Sequence, residues 1–195
     1  MSAPARMTRS ERAGLTRREL LQAAERRFFR DGYHGTTLDG IADEAGYTKG
    51  AVYSTFKSKG GLFLALFDDV MQRRLEEIRT LFETHGIGPQ ALAALARNPV
   101  DERNTRFLAV VIEFLVHAAR EPALLDAFAQ RHRRLRASLA EIGPQAAELG
   151  GPERWATVTL ALSSGLALER LIDPGSVPED LMATVQARML RPDAL

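Results

Sequence analysis

Apolar residues recur at intervals of three and four along most of the chain, so helices are predicted almost throughout. The first apolar face, Leu20, Leu21, Ala24, Phe28 and Phe29, follows Thr16-Arg17-Arg18-Glu19. That tetrapeptide has the form of a capping box, in which threonine hydroxyl and glutamate carboxylate each satisfy a backbone N–H of the first turn. A helix is expected from Thr16 to about Asp31-Gly32, followed by a turn at Tyr33-His34-Gly35-Thr36. Residues 1–15 show little periodicity and are expected to form a flexible arm. Two short helices come next. Thr37 can cap one bearing Leu38, Ile41, Ala42 and Ala45, and Gly46 breaks it. Thr48 can cap the other, with Val52 and Phe56 on its inner face.

The remaining pattern is helical too. A long amphipathic segment over 62–83 carries Leu62, Leu66, Met71, Leu75, Ile78 and Phe82. Pro89 can begin a short helix to residue 97, and Asn98-Pro99 makes a turn. Residues 102–120 are apolar nearly all round from Phe107, which predicts a central helix. A further helix over 122–149 should break or kink at Gly143-Pro144. Its section QRHRRLR is read as a basic outer face, with Leu125, Phe128, Leu135 and Leu139 beneath. Helices over 153–171 and 178–190 complete the chain. The fold class is therefore all-α. An N-terminal three-helix domain (16–60) follows the arm, and a helical bundle (61–195) follows that domain.

Composition narrows the chemistry. Hydrophobic residues make up 45% of the 195, enough for a substantial core, and there is no cysteine to form disulfides or supply a thiolate. No apolar run reaches the ~18 residues of a membrane span, and no apolar signal segment follows the arginines of the N-terminus, so a cytoplasmic protein without membrane partners is expected. The formal charge of +1 is uninformative until it is divided. Residues 1–60 hold eleven basic and seven acidic side chains, and the rest hold fifteen and eighteen. A basic head on a mildly acidic body suits a DNA-binding domain joined to something else.

The head supplies the geometry for that role. Two short helices about a turn apart, the second polar and basic outside, match a helix-turn-helix. The second helix presents Lys49, Gly50, Ala51, Tyr53, Ser54 and Lys57 outward. Small residues let its backbone approach a groove, and lysine and hydroxyl groups reach phosphates or base edges. Arg17 stands at the exposed start of the first helix. Arg6, Arg9 and Arg12 could enter a minor groove or belong to a solvated tail. Arg26, Arg27 and Arg30 read as solvated surface, and His34 as a structural or surface residue. Tyr47 could touch DNA or pack at the entry of the second helix.

The run IADEAGYTKGAVYSTFKSK, with the preceding TRRELLQAAERRFFRDGYHGTTLDG, resembles the tetracycline-repressor (TetR) family of bacterial transcription regulators. The resemblance is specific over residues 16–67. It implies a helix-turn-helix domain followed by a ligand-binding and dimerisation domain. By resemblance, Thr37, Tyr53 and Lys59 match phosphate-holding positions. Lys49, Gly50, Ala51 and Ser54 match positions facing bases or groove edge. The DNA-binding set is thus Arg17, Thr37, Tyr47, Thr48, Lys49, Gly50, Ala51, Tyr53, Ser54 and Lys59. Two departures stand out. Thr55 occupies a place where the family often has histidine or tyrosine, and Gly60-Gly61 follow Lys59 where acidic residues are common. If Ser58 caps the next helix, Gly61 takes the place of a capping-box glutamate. That helix start should then be softer by roughly 1 kcal/mol, and Gly61→Glu should raise stability.

In the body, Glu113 and His117 lie four apart and could bind a metal, line a ligand pocket or pair with each other. Two ligands are too few for a metal site, so no metal or other cofactor is expected. Helix faces nominate Met71, Phe107, Glu113, Phe114, His117, Phe128 and Trp155 as walls for a largely apolar ligand, though such residues also serve as plain core. Ser163, Ser164 and Leu166, with Leu181, Val185 and Met189, are the candidate dimer surface. No nucleophile elbow, phosphate loop or histidine cluster points to catalysis. The expected activity is that of a homodimeric repressor binding a pseudo-palindromic double-stranded DNA operator and released by a small molecule. The alternatives are a helical ligand-binding protein or enzyme without DNA binding, and a ligand-dependent activator.

Overall fold

The first helix starts earlier than its apolar face suggests. The computed structural model describes residues 8–88, 91 and 100–189, and α1 spans Arg9–Gly35. Thr8 and Glu11 form the capping box: Thr8 N–H donates to Glu11 Oε2 at 2.6 Å, and Glu11 N–H donates to Thr8 Oγ1 at 3.2 Å. The expected arm over 9–15 and the expected start at Thr16 are therefore both corrected. Each threonine has a glutamate three residues on, so local chemistry permits either start. Between them lie the good helix formers Arg, Glu, Ala and Leu, and only Gly14 opposes extension, by about 1 kcal/mol. Arg9 and Arg12 consequently lie on α1, while Arg6 lies outside the described residues. At the other end Gly32 adopts φ 71° and ψ 178°, a break at the predicted place, after which the chain turns on to Gly35.

Eight α-helices stand among the described residues, in two compact units divided between Phe67 and Asp68. In the first unit α2 (Leu38–Ala45) and α3 (Lys49–Phe56) follow α1. Thr37 Oγ1 accepts from Gly40 N–H at 3.1 Å, and Thr48 Oγ1 accepts from Ala51 N–H at 3.2 Å. Gly46 closes α2 in the left-handed region, at φ 71° and ψ 28°. These three caps fix where the helix-turn-helix bends. Its core is Leu20, Phe28, Tyr33, Ile41, Ala42, Val52 and Phe56, joined by Leu62, Phe63 and Leu66. The rings of Phe28, Tyr33 and Phe63 meet with centroids 5.5–5.8 Å apart. Each large side chain buried here contributes about 1.5–3 kcal/mol.

The link from α3 to α4 (Lys59–His85) is very short. Ser58 N–H donates to the Phe56 carbonyl at 2.8 Å, closing a three-residue turn centred on Lys57 at φ 69° and ψ −42°. That is the strained form of the γ-turn. Ser58 Oγ then caps α4, accepting from Gly61 N–H at 3.0 Å. A Cβ on Gly61 would stand inside the 3.0 Å that real Cβ atoms respect, against the Phe56 carbonyl oxygen. The expectation that Gly61→Glu stabilises is overturned, because the position has no room for any side chain.

In the second unit α5 (Val100–Ala118) and α6 (Pro122–Ile142) pack on α7 (Pro152–Ile172), and α8 (Leu181–Met189) follows. The helix predicted for 89–97 and the turn at 98–99 lie outside the described residues, apart from Ala91. Phe107, Val110, Phe114, Phe128, Leu135, Leu139 and Trp155 form the core. α6 ends at Gly143, as its Gly-Pro predicts, and a 3-10 turn (Ala147–Leu149) leads to α7. Trp155 packs so closely on Gly143 that a Cβ there would fall within 3.0 Å of its ring. α8 starts three residues after Pro178, since Leu181 N–H closes a turn on the Pro178 carbonyl. Two expectations for apolar faces are corrected. Leu125 is exposed rather than part of the inner face of α6, and α5 leaves Ile112 and Val116 exposed rather than being apolar-covered all round. Among the described residues no helix is long and apolar enough to cross a membrane.

Candidate nucleic-acid interface

Val52 and Phe56 fix the orientation of α3. Both are buried, so Lys49, Gly50, Tyr53, Ser54 and Lys57 fall on the exposed side, and Ala51 is half-buried at its edge. Tyr53 is 49% exposed, the largest aromatic surface left open in the first unit. No Cβ contact closer than 3.9 Å would meet a side chain at Gly50, so the backbone lies open there. Thr37 and Thr48 are exposed, but each hydroxyl oxygen already accepts its capping bond. A capping hydroxyl keeps its own O–H free to donate to a phosphate.

Ser54 Oγ donates to the Ala51 carbonyl at 3.0 Å. Thr55 Oγ1 donates to the same carbonyl at 2.7 Å, from a half-buried position. Where the resembling family often has a long side chain, Thr55 turns its hydroxyl inward. Arg17 is exposed and lays its guanidinium 5.0 Å from the centroid of the Phe56 ring, joining the start of the surface to the core beneath α3.

Several of the nominated residues are engaged within the protein. Tyr47 Oη donates to the Glu19 carboxylate, tying the entry of α3 to α1. Lys59 Nζ donates to the carbonyls of Tyr33 (3.0 Å) and Thr36 (3.2 Å) and lies 4.6 Å from the Tyr33 ring centroid. It closes the end of α1 with a positive charge, where exposed carbonyls favour one. Lys49 Nζ pairs with Asp39 on the first turn of α2. The Asp39 hydrogen bond, its charge and the nearby Asp43 carboxylate raise the Lys49 pKa above the ordinary lysine range.

Arg26, Arg27 and Arg30 were expected to be solvated surface. Instead they converge on Glu44 at 2.9–3.2 Å, with Asp31 also bound to Arg27 and Arg30, and they clamp α1 to α2. Burial raises the Glu44 pKa, but the bonds from Arg26 and Arg30 outweigh it and hold the carboxyl below its usual range. The pairings of Asp39, Glu19 and Glu44 are not legible in the sequence, because their partners lie 10 to 28 residues away. No local periodicity marks such pairs.

In the second unit the nominated ligand walls are mostly core. Phe107, Phe114, Phe128 and Trp155 are buried, and the rings of Phe114 and Phe128 lie 5.5 Å apart. Met71, Glu113 and His117 are half-buried. His117 Nε2 lies 3.2 Å from Glu121, a partner the sequence reading did not consider. The Trp155 indole N–H is buried without an acceptor among the described residues. On α7 the exposed residues Val158, Ala161, Gly165, Leu168 and Ile172 follow one stripe. Of the nominated dimer residues, Ser163 and Ser164 are exposed beside that stripe, and Leu166, Leu181, Val185 and Met189 are half-buried.

Comparison with known proteins agrees with this layout. Residues 20–66 match the profile of bacterial regulatory proteins of the tetR family, and residues 90–191 match that of the BetI-type transcriptional repressor C-terminal domain. The chain belongs to the TetR family. It is 30% identical to the HTH-type transcriptional regulator TtgR of Pseudomonas putida, over 89% of this chain and 73% of that one. It is 32% identical to the probable acrEF/envCD operon repressor of Escherichia coli, over 62% of this chain and 50% of the repressor. A structure described as a TetR-family regulator of Mesorhizobium loti superposes with TM-score 0.67 at 22% identity, covering 94% of this chain and 96% of that one. The chain is thus a DNA-binding transcriptional regulator and not an enzyme.

Proposed function

We propose that this TetR-family regulator is a homodimeric repressor whose two α3 helices enter successive major grooves of a pseudo-palindromic operator. The observation that carries the reading is the exposed side of α3. A half-exposed tyrosine, two lysines, an open glycine and a serine stand on a helix held from behind by Val52 and Phe56. Arg17, Thr37, Thr48, Tyr53 and Lys57 would hold phosphates, and Lys49, Gly50, Ala51 and Ser54 would face base edges or the groove. Tyr47 and Lys59 would act mainly by positioning α3, through Glu19 and the end of α1. The arginine-lined start of α1 supports backbone contact as well.

Pairing of two copies is supported by the stripe on α7, where Ala161 and Gly165 allow close approach and Val158, Leu168 and Ile172 offer apolar surface to a matching helix. Ser163, Ser164 and Leu166, with Leu181, Val185 and Met189 of α8, would flank it. A small, largely apolar ligand would bind in the second unit among Met71, Phe107, Phe114, Phe128, Trp155 and the Glu113/His117 turn of α5. The unsatisfied Trp155 N–H favours a ligand that brings one acceptor atom. Binding would favour the DNA-incompetent state and lower operator affinity, by at most the factor by which that state binds ligand more tightly. A relative named as an operon repressor favours repression over activation.

The test is selection from a random duplex pool by the purified protein at two salt concentrations. A pseudo-palindromic winner whose affinity falls steeply with salt is the expected result. No enriched sequence, from protein shown to carry no bound small molecule, overturns the reading.

A further inference from the structure

Lys49, the first residue of α3, is exposed to solvent but is already paired with an anion. Its ammonium is held by the Asp39 carboxylate, and the charge of Asp43, one turn further along α2, also favours the ammonium. Asp39 sits in the first turn of α2, where the exposed backbone N–H groups favour an anion. The carboxylate is therefore stabilised in place by the helix end as well as by Lys49. Lys57, Arg17 and Arg18 have no carboxylate partner among the described residues, so Lys49 is distinct among the cations of this surface.

From this we infer that Asp39 is a specificity-determining residue that keeps Lys49 from contributing to non-specific DNA binding. The inference rests on the reading that α3 enters DNA. A phosphate reaching Lys49 on arbitrary sequence must displace a carboxylate that is already tethered beside it. Exchanging one anion for another at Lys49 cancels the gain that counterion release would otherwise bring. Non-specific affinity then comes from the other cations. On a matching sequence, closer seating of α3 lets Lys49 leave Asp39 for a base edge, and the freed carboxylate can accept from a cytosine amino group. Asp39 thus widens the gap between specific and non-specific binding without contributing to bulk affinity.

A salt series on a duplex of scrambled sequence tests this, using wild type, Asp39→Asn and the Asp39→Asn/Lys49→Ala double variant. The Asp39 side chain is 45% exposed, so the amide leaves the fold intact. Asp39→Asn should steepen the slope by about 0.9 for each Lys49 that gains a phosphate, a gain of about eightfold per contact at about 0.1 M salt. In the double variant, which carries neither charge, the slope should return to that of wild type. If Asp39→Asn leaves the slope at its wild-type value, or if the double variant keeps the steeper slope, the inference is wrong. A wild-type protein that binds no duplex, scrambled or selected, would instead remove the underlying DNA-binding reading.

Discussion

Replacing Gly61 by alanine should destabilise the N-terminal unit, although a helix interior ordinarily prefers alanine. The preference amounts to about 1 kcal/mol. Against it stands the Phe56 carbonyl oxygen, which a Cβ would meet inside 3.0 Å. That oxygen cannot simply withdraw. It accepts the Ser58 N–H at 2.8 Å, within a turn whose centre, Lys57, is already at φ 69°. Overpacking of this kind costs about 1–3 kcal/mol, so the net change is a loss of up to about 2 kcal/mol. Gly61→Glu adds a potential capping carboxylate but carries the same Cβ, so it should also destabilise. Lys57→Gly, which relieves the positive φ, should raise stability by up to about 1 kcal/mol. Urea denaturation followed by far-ultraviolet circular dichroism reads all three. Fluorescence does not, because Trp155 is the single tryptophan and belongs to the second unit. A midpoint for Gly61→Ala equal to or above wild type would refute the steric account of this junction.

Gly143→Ala should lower the stability of the second unit by about 1–3 kcal/mol, because its Cβ collides with a Trp155 ring that is only 1% exposed; tryptophan fluorescence during denaturation measures this, and an unchanged midpoint would count against it. Burial first, and then the charge of Arg136 3.4 Å away, depress the His132 pKa below the ordinary 6.5. A group whose folded pKa is depressed binds more protons in the unfolded chain, so its stabilisation is complete above about 6.5 and is lost as pH falls through the folded value. The stability of the second unit should therefore decline on acidification below 6.5, and His132→Gln should flatten that decline; equal slopes in the two proteins would exclude His132 as its source.

What could be read from the sequence was governed by the range of each cause. Thr37, Gly46 and Thr48 act on backbone groups at most four residues away, and their caps are where the residue types place them. Thr8 and Thr16 show the limit of that logic. Both have a glutamate three residues on, and what decides between them is the helix-forming strength of the residues between, summed over two turns. Gly61 lies further beyond it: in cap logic alone it is a missing glutamate, yet a carbonyl five residues back makes it obligatory. The ties of Glu19 to Tyr47 and Asp39 to Lys49 depend on how α1, α2 and α3 pack, and no spacing within one helix announces them. α7 poses the opposite difficulty. Apolar residues occupy most of its circumference, so periodicity cannot tell a covered face from an open one. Only the placement of α5 and α6 along one side, which buries Trp155, Ala156 and Ala167, leaves Val158, Ala161, Gly165, Leu168 and Ile172 outside. A stripe of that composition on water is a standing cost of exposed apolar area, and a second helix laid along it would remove that cost.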